Sequence, residues 1–304
     1  MTAADEILLS YVIDDSKNAT AFNLRKNGQL VKREISDNVT IVSKADGTGI
    51  DIFIKENTKR ALVMIPVIIT ETDIHDKVYN DFHVGKNATA TIIAGCAIHN
   101  PGTSPSTHNG IHRFFLEENS NITYLEKHYG EADKHGSTTL DPITEIYMEK
   151  DSQMKIDTLQ IKGVNKTTRY TIAEIKDGAT LVVNEKIMTN NTDEATTEFD
   201  INLNGKKASA HVTSRSVATD NSVQTFISRL NGNNECYGHV ECDGILKDKG
   251  IVRAIPEVNA NHLDSKLIHE ATIGKIAGEQ LIKLMSLGLN EKEAEEVIIN
   301  GFLK

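Results

Sequence analysis

The feature that most limits the fold is a run of short alternating segments punctuated by look-alike turns. From about Ile35 to Val258, stretches rich in Ile, Val and Thr alternate apolar with polar residues, and Asn, Asp, Gly or Lys turns separate them. The turns Lys86-Asn87-Ala88, Asn119-Ser120-Asn121, Asp151-Ser152-Gln153, Asp177-Gly178-Ala179 and Asn204-Gly205-Lys206 centre on 87, 120, 152, 178 and 205, in steps of 33, 32, 26 and 27. Alternation with period two is a strand pattern, and a repeat near thirty residues made only of strands suits a stack of β-coils. A propeller blade needs about forty residues, and an immunoglobulin-type sandwich would not repeat. A generic β-sandwich is the alternative. The absence of Trp and an aromatic content of 5% leave the core to aliphatic and β-branched side chains.

Two stretches break the pattern. Asn100 to Gly110 (NPGTSPSTHNG) holds two of the chain's five prolines and reads as a loop. After Asn261 the spacing becomes helical: Ile273, Ile276, Ala277, Leu281, Leu284 and Met285 share a face, and Gly288 stands where a C-terminal cap belongs. Asn290 followed by Glu293 forms a capping-box pattern opening a second helix, with Ala294, Val297, Ile298 and Phe302 on one face. The expected organisation is a short N-terminal segment (1–34), a β core (35–262) and a C-terminal helical hairpin (263–304).

Other classes drop out. The 304-residue chain carries 33 Lys+Arg against 43 Asp+Glu, a net charge of −10 with no basic tract, so neither nucleic acid nor an anionic membrane is an expected partner. The longest apolar run, Ala61 to Ile69, is broken by Pro66 and is about half a bilayer span. No basic n-region or cleavage pattern opens the sequence, and three cysteines do not make a disulfide framework, so a cytoplasmic protein with reduced thiols is expected. No P-loop, dinucleotide fingerprint, nucleophile elbow or H-E-x-x-H motif is present.

Three clusters are left that could carry chemistry. Cys236-x-x-His239-x-x-Cys242, with Glu241 and Asp243 beside it, offers ligands for zinc or an iron–sulfur species. In a regular strand, however, 236 and 242 share a face while 239 points away. His269-Glu270 stands where strands give way to helix, a usual place for an inconsequential surface pair. His99, His108 and His112, with Cys96 nearby, read as solvated loop histidines, because the Pro/Gly loop argues against the helix that an i, i+4 spacing would suit.

Glu241-Cys242-Asp243, the stretch from Leu267 to Ile276 (LIHEATIGKI), the helical end GEQLIKLMSLGLNEKEAEEVIINGF, and also Ser214-Arg215-Ser216-Val217, resemble the C-terminal half of the SufB/SufD family of iron–sulfur cluster assembly scaffolds. GCAIHNP and HNGIHRFF have counterparts in its short, archaeal-type members. The resemblance implies a right-handed parallel β-helix assembled as a two-fold pair, with a C-terminal helical region that docks a SufC-like ABC ATPase. It places a functional cysteine on Cys242, a SufB-type glutamate on Glu270 and a SufD-type histidine on His269. Because Cys, His and Glu occur together and the long N-terminal helical region of larger members is missing, a homodimeric minimal scaffold is implied. Two Cys242 thiolates, completed by His269 or Glu270 from each chain, would hold a transient cluster built with a sulfur donor. Cys236, His239, Glu241 and Cys96 are secondary candidates. Ile273, Ile276, Leu281, Leu284 and Met285 are the expected ATPase-docking residues. No catalytic activity and no bound nucleotide is expected of the chain itself. The alternatives are a zinc-binding structural solenoid and a carbohydrate-active β-helix enzyme.

Overall fold

The computed structural model describes residues 1–13, 18–132, 136–160 and 163–304. Helix α1 (Ala3–Ser10) precedes two antiparallel hairpins, β1 (Ala21–Lys26) with β2 (Gln29–Glu34) and β3 (Val39–Ser43) with β4 (Gly49–Ile54). Then come β5 (Ala61–Ile69), β6 (His75–Val84), β7 (Thr89–Asn100), β8 (Ser106–Leu116), β9 (Asn121–Ala132), β10 (Thr138–Leu140), β11 (Ile143–Met148) and β12 (Gln153–Gln160). The series continues with β13 (Lys166–Ile175), β14 (Thr180–Thr189), β15 (Glu194–Leu203), β16 (Ser209–Ala218), β17 (Val223–Gly232), β18 (Tyr237–Leu246), β19 (Ile251–Ala260) and β20 (Lys266–Lys275). Helices α2 (Gly278–Ser286) and α3 (Glu291–Phe302) end the chain's regular structure.

From β4 to β20 the chain alternates between two sheets, with β10 and β11 together making one step. One runs β2-β1-β5-β7-β9-β12-β14-β16-β18-β20, and the other β19-β17-β15-β13-β10-β8-β6-β4-β3, with β11 filling the place beside β10. Every pairing from β5 onward is parallel. The chain is therefore a parallel β-solenoid of about eight turns, 59% strand, and the antiparallel sandwich is excluded. The even-numbered residues of β14, β16 and β18 alternate with their neighbours in exposure as a two-residue period requires.

The repeated turn is one corner of the coil. Asn87, Asn119, Asp151 and Gly178 adopt left-handed φ values of 57°, 57°, 56° and 65°, which Asn, Asp and Gly reach at least cost. In the next coil Lys207 takes that conformation rather than Gly205. Gly205 is required for another reason: a Cβ there would lie 2.0 Å from the Asp177 nitrogen. Backbone bonds stack the corners, as from Asn87 N–H to the Glu118 carbonyl (3.1 Å) and from Lys207 N–H to the Glu235 carbonyl (2.7 Å). The residue after each of these left-handed positions is small and buried, giving the series Ala88, Ser120, Ser152, Ala179 and Ala208, and Cys236 stacks next in that row although Glu235 before it is not left-handed.

Inside, Ile, Val, Leu and Phe side chains stack from coil to coil, with Phe82 on Phe114 at 4.5 Å between ring centres. Each fully buried side chain of this size contributes about 1.5–3 kcal/mol. A capping box between Thr2 and Asp5 starts α1, and Leu8, Val12 and Ile13 pack on Phe22, Leu24, Met64 and Ile68. Pro66 lies in β5, where pairing with β1 is interrupted between Met64 and Val67, so its missing donor breaks no ladder bond.

The far end is open. β19 and β20 terminate the two sheets, each with one neighbour, and the inward-facing Val258 and Ala271 are exposed. Pro256 sits in β19, an edge strand that tolerates it. This end corrects two expectations. Strands run on to Lys275, past the composition change at Asn261, and the first C-terminal helix starts at Gly278 rather than near Ile273. A coil covered on one side only does not need clean alternation, which is why its sequence reads as helical. The capping box at Asn290–Glu293 forms as expected, with both of its bonds present. The buried face of α3 is Ala294, Ile299 and the following Leu303, whereas Val297 is exposed.

Candidate functional site

Strand β18 sorts the Cys236–Cys242 segment onto two faces. Cys236 and Cys242 point into the solenoid, while His239 and Glu241 lie on the outer face. The three-ligand zinc site suggested by the spacing does not form, because no bulge turns His239 inward. Cys236 is the small corner residue of its coil, in the slot held by Ala208 one coil earlier, which accounts for its burial without a functional role.

Cys242 sits in the penultimate coil of its sheet. Its register partners are Ser214 on β16 and Ala271 on β20. On its inner row, then, the one strand of this sheet between the thiol and the open end contributes a methyl group. Burial pushes the Cys242 thiol up to about 12, and the Glu185 and Asp243 carboxylates push the same way. His269 pairs with Val240, so it shares the inward face of Cys242 and is displaced from it by one same-face step along the neighbouring strand. It lies in a strand, not at a helix start. Its Nε2 is buried and has no hydrogen-bond partner. Burial, with the nearby His239, lowers its pKa and favours the neutral imidazole. Glu270 pairs with Glu241 on the outer face, where its carboxylate lies 3.6 Å from His239 Nε2, and the His239 ring stands edge-on to His211. The structure therefore brings Cys242 and His269 to one face and sets Glu270, His239 and Glu241 on the other.

A polar line through the aliphatic interior is legible only once the register is known. Glu126, Thr158, Glu185, Ser214 and Cys242 occupy one inward row on β9, β12, β14, β16 and β18. From the opposite sheet Arg169 reaches across to ion-pair with Glu126, lies 3.8 Å from Glu185, and donates to His128 Nδ1 at 3.3 Å. Ser214 Oγ donates to Glu185 at 2.8 Å. Burial would raise the pKa of Glu126, but Arg169, helped by His128, holds it well below the ordinary range. Glu185 is raised, because burial outweighs Arg169 and the Ser214 hydrogen bond. The signal available in the sequence was a charged residue at an apolar parity, as in Leu181-Val182-Val183-Asn184-Glu185.

The reading of His108 and His112 as solvated loop residues is overturned. Both lie on β8, both are buried, and residues four apart share a face in a strand as well as in a helix. Cys96 on β7 is buried and faces the same interior, whereas His99 faces outward.

At the C-terminus α3 is clamped to the outer sheet face. Arg215 donates to the Phe302 carbonyl (3.1 Å) and lies over its ring, Lys247 pairs with Glu295, and Ile299 and Leu303 pack on Val217. Helix α2 has no buried residue, and Ile282, Met285 and Leu287 are exposed, with Leu281 and Leu284 half-buried. Of the expected docking residues, Ile273 belongs to β20 and Ile276 joins the cluster under α3. Among the described residues no helix is long and apolar enough to cross a membrane.

Comparison with known proteins agrees with this architecture. The sequence pattern described as "SUF system FeS cluster assembly, SufBD core domain" matches residues 76–302. An "Iron-sulfur cluster assembly SufBD family protein" of Archaeoglobus fulgidus is 29% identical over 231 residues, 75% of this chain and 60% of the relative. One from Methanothermobacter thermautotrophicus is 30% identical over 221 residues, 72% of this chain and 53% of the relative. A Pyrococcus horikoshii relative of the same family is 27% identical over 268 residues, covering 85% of this chain and 78% of its own length. The chain thus spans little more than half the length of the first two. With the family pattern covering most of the solenoid and both C-terminal helices, this chain belongs to the SufBD family.

Proposed function

We propose that the protein is a non-enzymatic scaffold on which iron–sulfur clusters are assembled and released, working as a pair of identical copies. The observation that carries this reading is the Cys242 thiol, one coil beneath an open solenoid end and beside an imidazole nitrogen that no protein group satisfies. Two edge strands, β19 and β20, each paired on one side only, are a ready template for a second copy. Joining two such ends across a dyad would offer two thiolates and two imidazoles, a four-ligand mixed set for a cluster. Such a set holds iron less firmly than four thiolates, which suits cargo that must be passed on. Glu270, on the outer rim, reaches that set only from across the joint or after the last coil shifts.

A SufC-like ABC ATPase fits the exposed apolar side of α2, and hydrolysis in that partner would supply the conformational work. Sulfide would come from a separate donor, and the pairing of copies would take place in the cytoplasm. The zinc-only reading draws no support from β18, whose Cys and His side chains diverge, and no observation favours a carbohydrate-active site.

The test is co-expression with an ABC-ATPase partner, anaerobic purification, and quantitation of iron and acid-labile sulfide. Wild-type protein should carry both, and Cys242→Ala should carry neither while keeping its far-UV circular dichroism. Full cluster content in Cys242→Ala would overturn the assignment.

A further inference from the structure

We propose that a groove on the outer face of β9, β12, β14 and β16 is an anion site, built for a small phosphate monoester with an apolar body. It lies on the opposite face of the sheet from the inward Cys242 row and does not depend on the scaffold reading.

Strand register sets the geometry. The outward residues of these four strands line a cavity of about 510 Å³, bounded on one side by Lys304 beyond α3. That volume suits a small metabolite. Lys127, Leu159, Lys186 and Arg215 stand in one row across the four strands. With neighbouring strands about 4.8 Å apart, Lys186 and Arg215 adjoin, and Lys127 starts about 10 Å from Lys186 with Leu159 between them. Lys155, two same-face steps before Leu159 on β12, lies about 13 Å along the strand and marks the opposite side.

The charge here runs against that of the chain. The protein carries −10 overall, yet with Lys304 the cations around this cavity number five, against the outward carboxylates of Asp157 and Glu241. Asp157 is already answered, by Lys155 at 2.8 Å and by the Asn184 amide at 2.7 Å. Behind the floor, the buried Glu126 and Glu185 share Arg169. A concave site lined by an excess of one sign focuses the field and draws in the opposite charge.

Two of the cations are held in place by the end of the chain. Arg215 donates to the Phe302 carbonyl at 3.1 Å with its guanidinium 5.8 Å from the centre of that ring, and Lys186 donates to a Lys304 main-chain oxygen at 2.5 Å. Among the described residues each spends one donor on these bonds, of the five and three that the two side chains carry. Two anchored cations side by side, with donors to spare, offer an anion several charge-assisted bonds, and the Arg215 fork matches phosphate oxygens. A doubly charged head answers two adjacent cations, which favours a phosphate monoester over a single carboxylate. Leu125 and Leu159 give the body of the ester an apolar floor.

The test titrates the full chain with phenyl phosphate as the probe, followed by isothermal calorimetry at low ionic strength. One equivalent should bind; inorganic phosphate, which lacks the apolar body, should bind more weakly, and phenol, which lacks the charged head, should not bind. Lys186→Met and Arg215→Met should each weaken binding by about tenfold or more, the effect of losing a charge-assisted hydrogen bond. Arg215→Met also loosens α3, so Leu159→Glu is the second variant: it leaves the α3 anchors intact, sets a carboxylate between Lys127 and Lys186, and should abolish binding. Lys249→Met removes an exposed cation elsewhere on the chain and should keep the wild-type affinity. Circular dichroism of each variant separates loss of the site from loss of the fold. Absence of phenyl phosphate binding by the wild type, or unchanged binding in folded Leu159→Glu, would overturn the proposal. So would a loss in Lys249→Met equal to that in Lys186→Met, which would reduce the attraction to net charge, or inorganic phosphate binding as tightly as phenyl phosphate.

Discussion

Replacing Arg169 with Met should reveal how the polar interior is held. The guanidinium is almost fully buried between the sheets and serves two buried carboxylates, Glu126 and Glu185. Methionine keeps the apolar bulk and removes the charge. Breaking a buried pair by deleting one partner costs about 3–5 kcal/mol. The alternative to stranding a charge is protonating it. At pH 7, moving one glutamate through the ~2.7 pH units above its unfolded value near 4.3 costs about 4 kcal/mol, at 1.4 kcal/mol per unit. The two estimates agree, so the loss at pH 7 should be about 4 kcal/mol. The sign of its pH dependence follows. In the wild type, Glu126 has a depressed pKa, so its stabilising contribution is present above the unfolded pKa and is lost only as pH falls through its lower folded value. In the variant the carboxylate pKa is raised, so the folded state binds the extra proton and the penalty shrinks toward the unfolded pKa. At pH 5 it should be about 1 kcal/mol. Urea unfolding of both proteins at pH 7 and pH 5, followed by far-UV circular dichroism, measures the difference. Adding Glu126→Gln to the variant should restore part of the loss at pH 7. A difference under about 1 kcal/mol at pH 7, or one equal at both pH values, would refute the reasoning.

Three further outcomes are expected. Ile282→Asp with Met285→Asp should abolish ATPase pull-down without moving the thermal midpoint, because no α2 side chain is buried; a lowered midpoint would show that α2 supports the fold. Ala271→Leu should lower iron and sulfide content after anaerobic reconstitution by crowding the cover of Cys242, while Cys236→Ala should leave both near wild-type levels. The Cys242 thiol, raised to about 12, stabilises the fold fully below the unfolded value near 8.5. Wild-type stability should therefore fall by about 1.4 kcal/mol per pH unit more steeply than that of Cys242→Ala between those limits, as urea midpoints across the alkaline range would record.

Much of the solenoid was legible because its corners repeat. Asn87, Asn119 and Asp151 advertise left-handed turns, and the strands between them alternate cleanly wherever a coil is covered on both sides. The Asn290–Glu293 box likewise announced α3, because a cap is a local interaction. Register was not legible, since coil lengths vary and a row such as Glu126, Thr158, Glu185, Ser214 and Cys242 exists only after alignment. His108 and His112 were misread because a spacing of four satisfies helix and strand alike, and the neighbouring Pro/Gly loop obscured where β8 begins. His269 and Glu270 were assigned to a helix start because the last coil, half exposed, carries no clear alternation. Cys242 was placed by resemblance, and its partition from His239 followed from simple parity.

A stack of coils is close to a one-dimensional chain of coupled units, in which each unit is stabilised by its own contacts and by its nearest neighbours. Interior coils have two neighbours, and the coil containing β19 and β20 has one. Its opening free energy should therefore be the smallest of the series, and amide exchange should be fastest along β20. Cys242 belongs to the next unit inward, so fraying by a single step uncovers it while the rest of the stack stays closed. Reactivity at that thiol then becomes a property of nearest-neighbour coupling: whatever binds the last coil sets how often the sulfur meets solvent.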